Sequence, residues 1–106
     1  MEPKESDWKK FRNSLEKWRE RYITRKNDEI RLILEDTKRT ETDKFWDIVK
    51  FQKNEAMRLR ECMDNYSRSN MILHMVQMKK YKMINEDDIV EFSEELQEKL
   101  TKIEMI

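Results

Sequence analysis

The 106-residue chain has a mass of 13.3 kDa and is 43% charged, with 23 Lys and Arg against 23 Asp and Glu, so its formal net charge is zero. It contains no glycine, one proline, one cysteine and one histidine. The missing glycine excludes a P-loop, a dinucleotide fingerprint and a nucleophile elbow, and one Cys with one His builds neither a zinc site nor an internal disulfide.

A mean hydropathy of −1.09 invites a disordered reading. Disorder normally joins low hydrophobicity to high net charge and few aromatics. Here the charges cancel, three Trp, three Tyr and four Phe are present, and the apolar residues recur at helical spacing. The pattern predicts an all-α chain: a small bundle of three to four helices with a long N-terminal helix, folded as one domain over 1–106.

The first predicted helix spans 7–36. Ser6 is the expected N-cap, and Asp7 sits where the helix dipole favours negative charge. Trp8, Phe11, Leu15, Trp18 and Tyr22 follow a 3-4-3-4 spacing that puts five large side chains on one face. Ile23, Ile30 and Ile33 continue near that face, while polar Thr24 to Asp28 is the weak point where the helix could break. The run Asp36 to Thr42 interrupts the pattern, and Thr40 with Asp43 resembles a capping box. The second predicted helix, 41–66, carries a 4-3 seam of Phe45, Val49, Gln52, Ala56, Leu59, Met63 and Tyr66, with Trp46 and Met57 beside it. A helix apolar over so wide an arc is expected at the centre of a bundle.

Ser67 to Asn70 punctuates the chain before a third predicted helix at 69–82, around which apolar residues nearly encircle. Arg, Ser and Asn at that helix start weakly resemble a helix-turn-helix, but capping alone explains them. Ile84-Asn85-Glu86-Asp87-Asp88-Ile89 is the sharpest local signal: Asn85 as N-cap, acids in the first turn, and Ile84 stapling onto Ile89. The fourth predicted helix, 86–103, places Ile89, Phe92, Leu96, Leu100 and Ile103 on one face.

Charge is unevenly distributed. Residues 8–26 hold eight bases and two acids, and residues 85–106 hold two bases and eight acids. The basic first helix and the acidic last helix are expected to be neighbours, within one chain or across a dimer. Arg12, Arg19 and Lys26 repeat every seven residues beside the aromatic stripe, as the flanking charges of a coiled coil do.

No convergent catalytic constellation is visible. His74 lies among Met71, Ile72, Met75 and Met78 and reads as a packed structural histidine, and Cys62 as a small buried hydrophobe. The residue three before His74 is Met71, so the Glu-x-x-His of a di-metal bundle site is missing. Six of the eight methionines fall within 57–83, which reads as core filling or, second, as a groove between helices two and three. The expected function is therefore a non-catalytic protein–protein interaction module, a small adaptor, regulator or assembly factor needing no cofactor or metal. The candidate interaction residues are Trp8, Phe11, Arg12, Trp18, Arg19, Tyr22 and Lys26, and the expected partner is a second copy in a two-fold dimer, or another protein. The second reading is a nucleic-acid-binding regulator using the basic helix 8–26, which a neutral chain with an acidic end disfavours. No run is long and apolar enough to span a membrane, and Met1-Glu2-Pro3-Lys4 does not open a signal peptide, so a cytoplasmic location is expected.

Overall fold

The computed structural model describes residues 2–104, and among them the chain forms five helices and no strand. They are α1 (Glu5–Glu35), α2 (Glu41–Met63), α3 (Met71–Lys80), α4 (Glu86–Ile89) and α5 (Glu94–Glu104). The all-α class and the long N-terminal helix are as the sequence predicts. Helix α1 passes through Thr24 to Asp28 without a break, and its 31 residues span about 46 Å at 1.5 Å per residue. That length accounts for most of the 51 Å long axis of the molecule.

Three local expectations are corrected. The N-cap of α1 is Lys4, not Ser6, and it makes no side-chain capping bond; Asp7, in the first turn, is buried. The second helix stops at Met63 rather than Tyr66, because Asn65 takes a left-handed conformation with φ 55°. In a chain without glycine, Asn is the residue that enters this region at least cost. The last helix is two helices: Val90 to Ser93 interrupts it, and the Ser93 hydroxyl accepts from the Leu96 amide at 3.2 Å to start α5. The two caps read from the sequence are present. Thr40 accepts from the Asp43 amide at 3.0 Å, and Asn85 forms a reciprocal capping box with Asp88.

The core is made by the first half of α1, the end of α2, and α3 to α5. Phe11, Leu15, Trp18 and Tyr22 of α1 meet Cys62 and Met63 of α2, Met71, Ile72, Met75 and Met78 of α3, and Phe92, Leu96 and Leu100 around α5. Unbranched methionines fit the irregular gaps left by the rings. The aromatic side chains also engage one another: Phe11 meets Trp18 edge-on at 6.1 Å, and Trp18 lies 6.2 Å from Phe92. Ile84 and Ile89 are buried in the same cluster.

The turn after α3 shows how a glycine-free chain closes a helix. The Met83 amide donates to the Met78 carbonyl at 2.7 Å and the Lys82 amide to the Lys79 carbonyl at 3.1 Å, the paired bonds of a Schellman motif. Met83 and Met78 are both fully buried and supply its apolar contact. Lys82 occupies the left-handed position at φ 62°, where glycine is usual. Replacing Lys82 with Gly is expected to stabilise the fold by about 0.5–1 kcal/mol, read by urea denaturation. Trp18→Ala is expected to cost about 3–5 kcal/mol in the same assay, because a ring 1% exposed is removed from the centre of the core.

Candidate interaction surface

The residues expected to form an interface divide into two groups. Phe11, Trp18 and Tyr22 are 0–1% exposed within the chain itself. Helices α3 and α5 with the end of α2 cover the stripe, so these three rings cannot be offered to a second chain. Trp8 is half-buried, stacked on Phe11 at 5.9 Å and edge-on to Tyr66 at 6.0 Å. The cationic row sits outside them. Arg12 lies over the Trp8 ring at 5.2 Å, Lys26 lies over the Tyr22 ring at 5.0 Å and pairs with Glu29 at 2.9 Å, and Arg19 is half-buried on the same helix.

Polar ties anchor α1 to the C-terminal segment. Arg21 donates to both carboxylate oxygens of Asp88, at 3.1 and 2.5 Å, and to the Met83 carbonyl at 3.0 Å. Asp7 accepts from the Ser93 amide at 3.0 Å and from its hydroxyl at 2.6 Å. Lys4 pairs with Glu95 at 3.5 Å. The basic first helix and the acidic C-terminal segment are thus neighbours within one chain. Burial alone would raise the Asp88 carboxyl. The Arg21 guanidinium and the Asn85 amide outweigh it, and the net shift is below the ordinary carboxylate value.

On the other side of α1, the Tyr22 hydroxyl donates to Glu55 of α2, and Arg58 donates to the second Glu55 oxygen at 2.9 Å. Arg58 also lies over the Tyr81 ring at 4.9 Å. Burial, with the adjacent Glu55, raises the Tyr22 phenol, so it remains a hydrogen-bond donor throughout the ordinary pH range. The His74 Nδ1–H donates to the Cys62 carbonyl at 2.7 Å. That carbonyl belongs to the last turn of α2, where no intrahelical donor remains, so the single histidine closes the helix end. Burial, with Glu61 nearby, pushes the Cys62 thiol up to about 11.

Most of the large hydrophobes left exposed lie on the α1–α2 hairpin, while Leu73 of α3 and Val90 after α4 are also 60% exposed. Leu32 and Leu34 of α1 and Phe45, Trp46 and Met57 of α2 are 54–67% exposed. Phe45 and Trp46 meet each other edge-on at 5.0 Å on a solvent-facing surface. A groove of about 240 Å³ runs between the two helices, lined by Ile23, Ile30, Phe51, Ala56 and Leu59 among others. The expectation that α2 is central therefore holds only for its last turns. The methionine groove is corrected as well: Met63, Met71, Met75, Met78 and Met83 are core, and Met57 alone of the six is exposed. The sequence did display Phe45, Val49 and Ala56 as a regular seam. The overlooked signal was that, once the chain turns back between α1 and α2, no later helix among the described residues is long enough to cover the seam.

Among the described residues no group of three or more His, Cys, Asp and Glu side chains is placed to hold a metal ion, and no helix is long and apolar enough to cross a membrane. No protein-family model, curated protein or solved structure matches the chain.

The Arg21–Asp88 tie carries a pH signature. Asp88 has a lower pKa folded than unfolded, so its contribution is present above the unfolded value, about 4, and is lost as pH falls through the folded one. Asp88→Asn is expected to cost about 1–3 kcal/mol at neutral pH, and the gap from wild type should narrow below about pH 4. Urea melts of both proteins across that range check it.

Proposed function

We propose that the chain is a non-catalytic protein–protein interaction module, a small cytoplasmic adaptor, regulator or assembly factor, that self-associates through its α1–α2 hairpin. The supporting observation is the exposure of Leu32, Leu34, Phe45, Trp46 and Met57 on a two-helix arm that projects beyond the core. Single exposed hydrophobes are ordinary, but a run of large ones along one element is the mark of a surface that is covered in use. An aromatic pair at the arm's tip is the kind of anchor that dominates interface energetics.

The polar groups favour the same reading. His74 is committed to a helix end, and Cys62 is buried with its thiol raised, whereas a nucleophilic cysteine needs an accessible thiolate. Asp7, Glu55 and Asp88 are each buried and each bonded to a structural partner. The nucleic-acid reading of helix 8–26 loses support, because its interleaved rings Phe11, Trp18 and Tyr22 are buried and cannot stack on bases.

Sedimentation from micromolar to near-millimolar protein at physiological salt tests the proposal: wild type is expected to be dimeric, and a monomer throughout would sink it. Trp46→Ser is expected to shift the chain to monomer while leaving helix content intact, with stability within about 0.5 kcal/mol of wild type when both are measured at dilutions where they are monomeric.

A further inference from the structure

We propose that the groove between α3 and α5 is a binding site for a medium-chain aliphatic carboxylate, taken free from solution. The site lies on the core half of the molecule and is independent of the self-association reading above. Ser69 with Ile72 and Leu73 of α3 forms one wall, and Lys99, Lys102 and Ile103 of α5 form the other, around a volume of about 280 Å³. The members of each triplet are three and four residues apart, so each wall is a single turn long. Leu73 is left exposed although its neighbour Ile72 is buried, and Ile103 across the groove is half-buried.

Size limits the occupant. A partner helix is about 10–12 Å across and docks through anchors spread over two turns or more, which walls one turn long do not offer. At about 30 Å³ per heavy atom, the volume a water takes in the liquid, the groove holds roughly nine or ten, the size of octanoate. Charge sets the head group. Among the described residues the walls carry two cations and no carboxylate. Glu95 reaches Lys99 at 3.3 Å, but it is shared with Lys4 at 3.5 Å. Lys102 is exposed and, among the described residues, has no acid within ion-pair range; Glu98, one turn before it, does not line the groove. Lys4, Lys99 and Lys102 thus stand against Glu95 with positive charge in excess. An alkyl chain laid on Leu73 and Ile103 brings its carboxylate to the Lys102 ammonium, and the Ser69 hydroxyl on the facing wall is a further donor. An apolar lining with a few polar groups at its rim is the usual make-up of a small-molecule site. An amine of the same length would meet Lys102 charge against charge.

Backbone amide NMR of the full chain titrated with octanoate tests the site. Saturable shifts at Leu73, Lys102 and Ile103 are expected, with a Kd of about 1 mM or tighter, while octylamine leaves them unchanged. Lys102→Gln is expected to weaken octanoate about fivefold, the worth of one partly exposed ion pair, and Leu73→Ser to abolish saturation. Both side chains are exposed, so helix content by circular dichroism is expected to stay at the wild-type level. Shifts that rise without saturating, that centre on Trp46 of the hairpin, or that octylamine reproduces overturn the site. So does a Lys102→Gln protein that binds octanoate as tightly as wild type.

Discussion

Helix α1 is one unbroken element of 31 residues, and only its first half has a core to lie on. That mismatch in length governs the rest of the molecule. Helices α3 and α5, with 10 and 11 residues, reach only about 15–17 Å, too short to follow α1 to its end. Among the described residues α2 is the other long helix, so beyond Arg25, which donates to the Lys82 carbonyl, the neighbour of α1 is α2. Two helices cannot bury each other all round. Residues such as Leu34 and Phe45 stay in solvent because, among the described residues, no third helix reaches beside them.

The two halves are consequently stabilised by different means. The proximal half buries rings and methionines and pins them with long-range polar bonds: Arg21 to Asp88, Asp7 to Ser93, Arg68 to Glu5 and to the Pro3 carbonyl. Each joins segments more than sixty residues apart, which fixes the positions of the helices as well as adding stability. The distal half has local ion pairs, such as Arg31 with Asp28, of the exposed kind that contributes little. Tyr22 and Glu55 sit at the junction, where the core ends and the arm begins. Their buried bond couples the angle of the arm to the core.

Much of this was legible in the residues, and the limits follow from what a sequence encodes locally. Caps at Thr40 and Asn85 depend on neighbours three residues away, so spacing alone located them. The stripe Phe11, Leu15, Trp18 and Tyr22 was visible as a face, but a face does not state whether its cover comes from the same chain. Here the cover is scattered over residues 62–100, in short helices whose packing no periodicity announces. The break at Val90 to Ser93 was hidden because the apolar spacing runs straight through it. What fixes the start of α5 is a tertiary bond, with Ser93 held by Asp7 86 residues away. The seam on α2 was likewise apparent, and its exposure was not, because burial depends on the length of everything else in the chain.

The charge asymmetry resolves on the same logic. Acids gathered at 85–106 lie beside bases at 8–26, yet the direct pairing of the two runs is chiefly Arg21 with Asp88, with Lys4 and Glu95 pairing just ahead of the basic run. Arg21 projects toward the C-terminal segment from the edge of the buried stripe, whereas Lys9, Lys10 and Arg12 point to solvent. A helix turns only part of its circumference toward any neighbour, so a +6 segment beside a −6 segment cannot neutralise every charge by contact. The outer cations of α1 keep the proximal half hydrated, while Leu32, Leu34, Phe45, Trp46 and Met57 leave apolar surface on the hairpin and Leu73 and Val90 leave it elsewhere.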